Sequence, residues 1–412
     1  MGCLKLRRHV VISLLLAIVV AADCATGGAL TIFNVLRYGA AGNGRSDDSP
    51  AFLRAWEAAC KGNPTKNIPV VYVPPNRTFL LTPLAFLGPC KSQRIYVLMS
   101  GKLIAPVKRE WKGSPDAWIQ FFGINGLVMK GKGVIDGQGS TWWPDNTCRN
   151  DPDPAKGVAC KGPYGMMFRN CDGLRLKGFS KINGPGSHIK ITKANNTVIS
   201  NLWIIAPGDS PNTDGIDITS STDVQIRNSF IATGDDCVAI NAGTSNVYVT
   251  GITCGPGHGI SIGSLGHGGG NDTVENVHVR NCTLKGTLTG VRIKTVQGGK
   301  GYARNISFKG IKFEAVDNPI QIEQFYCPLK VNCRNYTSAI AVSDVSFVGI
   351  SGTSVAQNVI NLNCNQLFGC KNIRLDRVYI QPSIAGNKVS ATCNNAHGKA
   401  THTRPMVNCF LP

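Results

Sequence analysis

The sequence predicts an all-β protein built as a parallel β-solenoid, a coil of short strands that grows along one axis. Three observations support this prediction. A short unit, in which a polar residue precedes two alternating apolar residues, recurs from about residue 125 onward. Helical periodicity is weak after residue 60. The 412 residues also exceed the length at which a single globular core usually stops growing, a limit that a stack of repeats does not have.

The repeated unit places Asn or Asp before an apolar–x–apolar triplet, as in Asn246-Val-Tyr-Val. Alternation with a period of two indicates strands that bury one face, and the Asn, Gly and Ser between them indicate turns. A β-sandwich would need hairpin turns of the Asn-Gly type, which are scarce, so stacked coils fit better. The triplets begin at Leu127, Leu174, Val198, Val224, Val247, Val277, Ile306, Val345 and Ile373.

Both ends of the predicted solenoid have a candidate cap. Residues 46–50 (Ser-Asp-Asp-Ser-Pro) followed by 51–60 indicate a short capping helix over the N-terminal end of the core. Cys393 and Cys409 bracket a tail that would close the other end. Such caps are needed because the last coil of a solenoid would otherwise expose its apolar interior.

The first 25 residues are typical of a secretory signal peptide. Three basic residues precede an apolar run over 10–22, and small residues follow, so cleavage is expected near 22–25. A signal anchor is the competing interpretation, but the run is short for a membrane span. Residues 26–412 are then expected to form one secreted, monomeric β-helix domain with no membrane contact.

The cysteines agree with export. The chain has 16, and the loss of Cys3 and Cys24 with the signal peptide would leave 14, an even number that suits a disulfide framework. Zinc is the alternative, but the usual zinc-site spacings are missing. Three close pairs are predicted to form local bridges: Cys327/Cys333, Cys364/Cys370 and Cys393/Cys409. Six glycosylation sequons also suit a secreted chain, at Asn76, Asn195, Asn271, Asn281, Asn305 and Asn335.

The formal net charge is +19, and about +17 remains once three basic residues and Asp23 leave with the signal peptide. A strongly basic secreted protein is expected to meet a polyanion. Nucleic acid is a poor candidate because of the export signal and the lack of any nucleic-acid-binding motif. An acidic polysaccharide fits better, although charge alone leaves unspecific adhesion to a cell wall open.

Three carboxylates and one histidine form the candidate site, because Asp214, Asp235, Asp236 and His258 are separated by about 22 residues. If one coil takes that length, they lie on three consecutive coils and stack at the strand spacing of roughly 4.8 Å. Carboxylates at that distance raise at least one pKa. A protonated acid beside an ionised base is what glycoside hydrolysis requires.

One coil later, Arg292 and Lys294 share a strand face. They could simply neutralise the acids. The glycines beside the acids, however, suit a close approach of a ligand more than a packed salt bridge, and a cationic pair matches a uronate carboxylate. No calcium-binding loop and no nucleophilic serine motif occurs, so neither a metal nor another cofactor is expected.

Four short blocks occur in order along the chain: Asn-Thr-Asp-Gly at 212–215, Gly-Asp-Asp at 234–236, Gly-His-Gly at 257–259 and Arg-Ile-Lys at 292–294. With these blocks the chain resembles the plant polygalacturonases of glycoside hydrolase family 28, over essentially the mature chain. The resemblance implies a right-handed, single-stranded parallel β-helix. It also implies inverting hydrolysis of α-1,4-linked galacturonan, the acidic chain of pectin.

The resemblance also implies roles for the matching residues. Asp235 would protonate the leaving oxygen, with His258 beside it, while Asp214 and Asp236 would hold and activate the attacking water. The other implied features are the galacturonate-binding residues Arg292 and Lys294, the further substrate contacts Asn212 and Tyr326, and the disulfide Cys237–Cys254.

Three points stay open at this level. Neighbouring coils predict about 5 Å between carboxylates, nearer to the retaining than to the inverting separation, so inversion rests on the resemblance alone. Asp235 and Asp236 are adjacent and must lie at a bend if both serve the site. Asp217 stands where plant relatives more often have histidine, and it either adds an acid near the site or points inward and pairs.

Three other functions remain possible. A rhamnogalacturonan hydrolase would share the fold but has less need of a carboxylate clamp. A pectate lyase would need calcium and an arginine base. A wall-binding protein with a silent site would need only the positive charge. The choice between internal and terminal cleavage depends on loop heights, which the sequence does not predict.

Overall fold

The computed structural model describes residues 29–62, 67–113, 116–143, 162–327, 333 and 335–412. The predicted signal peptide lies outside these residues. Within them the chain forms one α-helix, α1 at Ser49–Lys61, four short 3-10 turns and 34 strands. The 3-10 turns are Val35–Tyr38, Lys108–Glu110, Gly139–Thr141 and His267–Gly269. The strands are β1 Leu30–Asn34, β2 Asn43–Asp47, β3 Ile68–Val73, β4 Thr78–Leu80, β5 Leu84–Leu87, β6 Ile95–Met99, β7 Lys102–Ile104, β8 Ala117–Phe122, β9 Leu127–Gly131, β10 Val134–Asp136, β11 Tyr164–Arg169, β12 Arg175–Lys177, β13 Ser180–Ile182, β14 Ile189–Thr192, β15 Asn195–Ser200, β16 Trp203–Ile205, β17 Ile216–Thr219, β18 Thr222–Arg227, β19 Phe230–Ala232, β20 Val238–Ile240, β21 Thr244–Thr250, β22 Thr253–Cys254, β23 Ile260–Leu265, β24 Asn271–Arg280, β25 Thr283–Lys285, β26 Thr289–Thr295, β27 Lys300–Lys309, β28 Lys312–Val316, β29 Asn318–Glu323, β30 Ala341–Ser354, β31 Asn358–Asn363, β32 Cys370–Pro382, β33 Ser390–Asn394 and β34 Ala396–Arg404.

The strands pair in parallel and form three rows along the molecule. The first sheet has 11 strands, from β5 to β33, and the other two rows join into a 23-stranded sheet. Each coil takes one strand from each row. For example, β17, β18 and β19 pair with β20, β21 and β22 of the next coil. The all-β parallel solenoid that the sequence predicts is thereby confirmed, and so is the right-handed β-helix that the resemblance implies.

The repeated triplets stack in register, as the solenoid prediction requires. Their first residues pair from strand to strand, and each is at most 1% exposed, so they form one continuous inward row. This row is Val224, Val247, Val277, Ile306, Val345 and Ile373.

One predicted triplet is wrong by one residue. Val198 pairs with Gln225 on the outer face, whereas Thr197 and Ile199 face the core and are fully buried. The apolar pattern misplaced the strand because a threonine occupies the inward position there.

The polar residue before each triplet turns the chain. Asn246, Asn276 and Asn305 adopt left-handed backbone angles, with φ of 55°, 56° and 53°. Their side chains also join neighbouring coils. Asn276 Nδ2 donates to Asn246 Oδ1 at 2.9 Å, and Asn246 Nδ2 donates to Asp223 Oδ1 at 3.0 Å. Asparagine suits both tasks, because it tolerates this conformation and its amide both donates and accepts.

Helix α1 covers the N-terminal end of the core, as predicted. It begins after Asp48 with Pro50 in its first turn. Its Trp56 ring lies 5.2 Å from Phe86 and 6.0 Å from Phe121, centroid to centroid. No helix within the described ranges is long and apolar enough to cross a lipid bilayer.

Disulfides join sites that are close in sequence or on neighbouring coils. The three predicted local bridges and the Cys237–Cys254 bridge implied by the resemblance are confirmed. A fifth ties the end of α1 to the loop after β5. The five bonds among the described residues are Cys60–Cys90, Cys237–Cys254, Cys327–Cys333, Cys364–Cys370 and Cys393–Cys409.

The expectation that all mature cysteines pair was wrong for Cys171 and Cys282, which are free and buried. Each thiol packs at a corner of its own coil, where burial raises its pKa to about 11. A neutral thiol of this kind behaves as a small apolar side chain. Cys148 and Cys160 lie outside the described residues.

Candidate functional site

The predicted acids converge at turns that lead into neighbouring strands of the first sheet. Asp214 precedes β17, Asp235 and Asp236 precede β20, and His258 precedes β23. These three strands pair in register. The backbone joins the turns directly, because Gly215 N donates to Asp236 O and His258 N donates to Asp235 O, both at 2.8 Å. The predicted stacking on three consecutive coils is confirmed.

Adjacent Asp235 and Asp236 both serve the cluster because the chain bends at Gly234 and Asp235. Donor atoms of Asp235, Asp236 and His258 all lie within 4.8 Å of one another. A Cβ on Gly234 would stand 1.9 Å from the carbonyl oxygen of Ser210, so the bend requires glycine. The bend that two adjacent aspartates need in order to serve one site is therefore present.

Asp236 is enclosed by cations, and its side chain is only 2% exposed. Arg292 Nη2 donates to Asp236 Oδ1 at 2.7 Å, and Lys294 Nζ donates to Oδ2 at 2.8 Å. Ser261 Oγ donates to Oδ1 at 2.7 Å. Burial alone would raise the pKa of Asp236, but Lys294 and then Arg292 outweigh it and lower the pKa to about 2. Asp236 is therefore ionised at neutral and mildly acidic pH.

These contacts correct the interpretation of the flanking glycines. Arg292 and Lys294 do form a packed salt bridge with an acid, and each cationic side chain is 9% exposed. The glycines serve coil stacking instead, since a Cβ on Gly215 or Gly259 would lie 2.5 Å or less from atoms of the neighbouring coil. Arg292 and Lys294 carry two positive charges, and Asp236 carries one negative charge. This trio of residues therefore keeps one positive charge in excess.

Asp235 and His258 are the more solvent-facing pair of the cluster. His258 Nδ1 lies 2.9 Å from Asp235 Oδ1, and the side chains are 32% and 22% exposed. Thr289 Oγ1 donates to the carbonyl oxygen of His258 and so anchors that turn. Asp235 can therefore reach an incoming molecule while a nitrogen of His258 orients its carboxyl group.

The same donor atoms are close enough to be considered as metal ligands. Both oxygens of Asp236, however, already accept from cations, and Asp235 Oδ1 is engaged by His258 and by the backbone N–H of Asp236. A divalent ion would have to enter beside Arg292 and Lys294 and displace these hydrogen bonds. The donor set therefore fits proton transfer better than metal binding.

Asp214 differs from Asp236 in charge state. Burial, and then the neighbouring Asp217, Asp235 and Asp236, raise the pKa of Asp214 well above its ordinary value, while Lys294 opposes them. The cluster therefore contains a carboxyl group that favours its proton beside one that is held ionised.

Asp217 adds an acid near the site, which settles the question that the sequence left open. It lies between inward-facing Ile216 and Ile218 and so projects away from the core. It is 7% exposed and accepts a hydrogen bond from Ser187 Oγ at 2.6 Å. Among the charged neighbours, Asp217 contributes most to raising the pKa of Asp214.

The two implied substrate contacts lie at the edges of the cluster. Asn212 is half-buried, with a left-handed φ of 52°, two residues before Asp214. Tyr326 N donates to Thr295 O at 3.1 Å, and Lys294 Nζ lies 5.3 Å from the Tyr326 ring centroid. The structure thus brings Tyr326 against the cationic pair across a separation of 32 residues.

Sequence reasoning missed the residues that support the acids. Fully buried His188 has Nδ1 3.1 Å from Asp214 O, and its Nε2 accepts from Gly184 N at 3.1 Å. Burial, and then Lys181, lower the pKa of His188 to about 3, so it stays neutral and supports the Asp214 turn. The sequence feature that could have indicated His188 is the glycine-rich stretch at 184–188, one coil before Asp214.

Ser261 and Tyr164 were also missed. Ser261 pairs in register with Arg292, so coil alignment could have found it. Its Oγ accepts from Arg292 Nε at 2.7 Å while donating to Asp236. Burial, and then the charges of Asp217 and Asp214, raise the pKa of Tyr164 to about 12.

Known proteins are similar to this chain in both sequence and fold. The model of the glycosyl hydrolases family 28 matches residues 60–403. An Arabidopsis thaliana protein named probable polygalacturonase is 46% identical over 92% of this chain and 80% of its own length. Polygalacturonase-2 of Solanum lycopersicum is 39% identical over 91% and 80%. The crystal structure of an exopolygalacturonase from Thermotoga maritima covers 90% of both chains, with a TM-score of 0.72 and 22% identity, a likeness that shows the fold.

Proposed function

The chain belongs to glycosyl hydrolase family 28, and on that premise we propose how this polygalacturonase divides the work among its residues. It hydrolyses polygalacturonan. The observation that supports the division of labour is the contrast inside the acid cluster. Two cations hold Asp236 in its ionised form, whereas Asp235 is partly exposed to solvent and contacts His258.

Asp235 is the general acid in this proposal. It gives its proton to the glycosidic oxygen as the bond to the sugar carbon breaks, and His258 holds the carboxyl group in place at 2.9 Å. Its 22% exposure supports the assignment, because the acid must reach the leaving group.

Asp236 and Asp214 hold the attacking water. Ionised Asp236 accepts a proton from the water while the oxygen of the water attacks the sugar carbon, and Asp214 orients the water. A base of low pKa suffices, because the oxocarbenium-like transition state attracts the water strongly. Attack from the face opposite the leaving oxygen inverts the anomeric configuration.

The excess positive charge of the Arg292–Lys294–Asp236 trio recognises the galacturonate carboxylate. Burial strengthens this recognition, because the charges lie in a medium of low polarity and are poorly screened by salt. Tyr326, which packs against Lys294, and Asn212 are further substrate contacts in this proposal.

We also propose that the chain acts as a secreted monomer on the pectin of the cell wall. The signal peptide pattern of residues 1–25, the disulfides and the charge of +19 support this location. All six sequon asparagines are exposed, which is compatible with glycosylation on a secretory route.

The test is reducing-sugar release from polygalacturonate by the purified chain and by Asp235→Asn. We expect the variant to lose about 10²- to 10⁴-fold in rate with its fold intact, which circular dichroism checks. Asp223→Asn, the same substitution at an exposed position of a neighbouring coil, is the matched control and retains full activity. The anomeric configuration of the first product, read by NMR, tests inversion.

Other results would replace the proposal. Equal inactivity of the parent chain and Asp235→Asn over a broad pH range would favour a silent wall-binding protein. Unsaturated products formed only with added calcium would indicate a lyase. Cleavage confined to rhamnogalacturonan would indicate the related hydrolase. The size of the early products distinguishes internal from terminal cleavage, since mixed oligomers indicate the first and monomer alone the second.

A further inference from the structure

A second cationic cluster lies on the outer face of the 23-stranded sheet, away from the turns that carry the acids. It lines a cavity of about 410 Å³ over strands β9, β12, β15 and β18. We call it the basic cavity and define it by its five cations, Arg94, Lys130, Arg175, Lys177 and Arg227. The catalytic turns lead into the first sheet instead, so the two sites occupy different sheets of the coil.

The basic cavity follows from strand register. Lys130 pairs with Lys177, Lys177 pairs with Ser200, and Ser200 pairs with Arg227, so these side chains stand on successive strands roughly 4.8 Å apart. Like charges directly opposite one another destabilise a sheet. No acid occurs among the described residues that line the cavity. The exposed cations Lys177 and Arg227 therefore stand on one strip of the sheet with no acid among these lining residues.

Arg175 occupies a defined position in the cavity. Its Nη2 donates to Asn196 Oδ1 at 3.0 Å, and its Nη1 donates to Leu174 O, also at 3.0 Å. Arg94 and Arg227 line the same cavity as Arg175, and burial, followed by the charges of these two residues, lowers the pKa of Arg175. On an ordinary solvated face, long cationic side chains would diverge and relieve this repulsion.

Three of the cations around Arg175 are not engaged by acids. Considering only the ranges that the structure describes, no carboxylate lies within salt-bridge distance of Arg94, Lys177 or Arg227, all of which are exposed. An anion that enters the cavity would thus meet cations whose charge is unpaired. Guanidinium groups bind carboxylates in a bidentate manner, which favours an anion of that kind.

We propose that the basic cavity is a second binding site for the polymer, one that holds a segment of polygalacturonate apart from the catalytic turns. The choice of ligand rests on the proposed function, because the enzyme's own substrate supplies a carboxylate on every residue. A segment bound there is not cleaved. It tethers the chain and raises the concentration of neighbouring segments at the acids, as any two-site arrangement does.

The test compares two double variants of equal charge. Lys177→Gln with Arg227→Gln removes two exposed cations of the cavity. Arg280→Gln with Lys309→Gln removes two exposed cations that pair in register on the same outer face but lie outside the cavity. The second variant therefore controls for loss of general positive charge.

We expect the cavity variant to raise the KM for long polygalacturonate roughly tenfold, the equivalent of two modest charge contacts. Its kcat/KM for a trimer, which is too short to reach both sites, stays unchanged, and so do both constants of the control variant. Fully methyl-esterified polymer, which lacks the carboxylates, should not distinguish the cavity variant from the parent in binding. Retardation in gels that contain polygalacturonate measures the same affinity without turnover.

Each outcome decides the proposal. Equal effects of both double variants would show that only the overall field binds the polymer, and no effect of either would show that the cavity holds no chain. Both results would overturn the second site. If the chain released no sugar but only the cavity variant lost retardation in the gel, the binding site would stand while the proposed hydrolysis failed.

Discussion

The same substitution is expected to have opposite effects at two aspartates of the site. Asp236→Asn removes the anion between Arg292 and Lys294, whose side chains are each 9% exposed, and leaves two buried cations uncompensated. Breaking a buried ion pair in this way costs about 3–5 kcal/mol of the free energy of unfolding. Asp214→Asn resembles the protonated carboxyl group that the site already favours, so at neutral pH the free energy of unfolding changes little or rises.

The pH dependence gives the same contrast with signs that can be worked out. The pKa of Asp236 falls from 3.8 to about 2 on folding, which corresponds to about 2 kcal/mol of the free energy of unfolding. Because the folded-state pKa is lowered, this stability is present above about pH 4 and is lost as the pH falls toward 2. The pKa of Asp214 is raised, so its contribution is present below about pH 4 and is lost as the pH rises.

Urea unfolding at pH 3–8 measures both effects. We expect Asp236→Asn to lose stability most at neutral pH and Asp214→Asn to remove part of the decline above pH 4. Exposed Asp223→Asn serves as the matched control and should change neither curve. A loss in Asp214→Asn at pH 7 as large as that in Asp236→Asn would show that Asp214 is ionised in the folded protein, and the reasoning on charge states would fail.

Three further substitutions test other parts of the structure. Asp217→Asn should lower the pKa of Asp214 and, because the site favours the protonated form of Asp214, move the basic limb of the kcat/KM profile to lower pH; an unmoved limb would contradict the influence of Asp217. Fully buried Lys181 has a pKa lowered by burial to about 7, so stability should rise with pH between about 7 and 10.5. Lys181→Met should abolish that slope and raise the free energy of unfolding at pH 6, and a slope that persists would assign it to another group. Thr197→Val should stabilise the fold by about 1 kcal/mol in urea unfolding, because Thr197 Oγ1 is buried without a hydrogen-bond partner among the described residues. A loss of stability there would show that the hydroxyl is satisfied in solution.

The path of the backbone was largely predictable from the sequence. The Asn-apolar-x-apolar repeat specifies both a left-handed turn and a strand, and both depend on residues next to each other in the chain. Stacking then follows, because strands of similar length with one apolar face bury it best in register. Asp214, Asp236 and His258 could therefore be placed on consecutive coils from their spacing alone.

Errors arose where a polar residue takes an apolar position or the reverse. Thr197 faces the core, so the visible apolar pattern was displaced onto Val198. Cys171 and Cys282 are packed as small apolar side chains, although the even cysteine count favoured disulfides. Composition and count do not reveal which face a single side chain takes.

The sequence by itself determined that three acids, a histidine and two cations gather on one side of a coiled parallel sheet. Only the tertiary structure decided how they pair. Arg292 and Lys294 could have faced a ligand or an acid, and the structure directs both to Asp236 while Asp235 stays with His258. The physical reason is the length of the side chains. Strand register places a Cα to within one coil, but the ends of long side chains select their partners by distance, burial and charge in three dimensions.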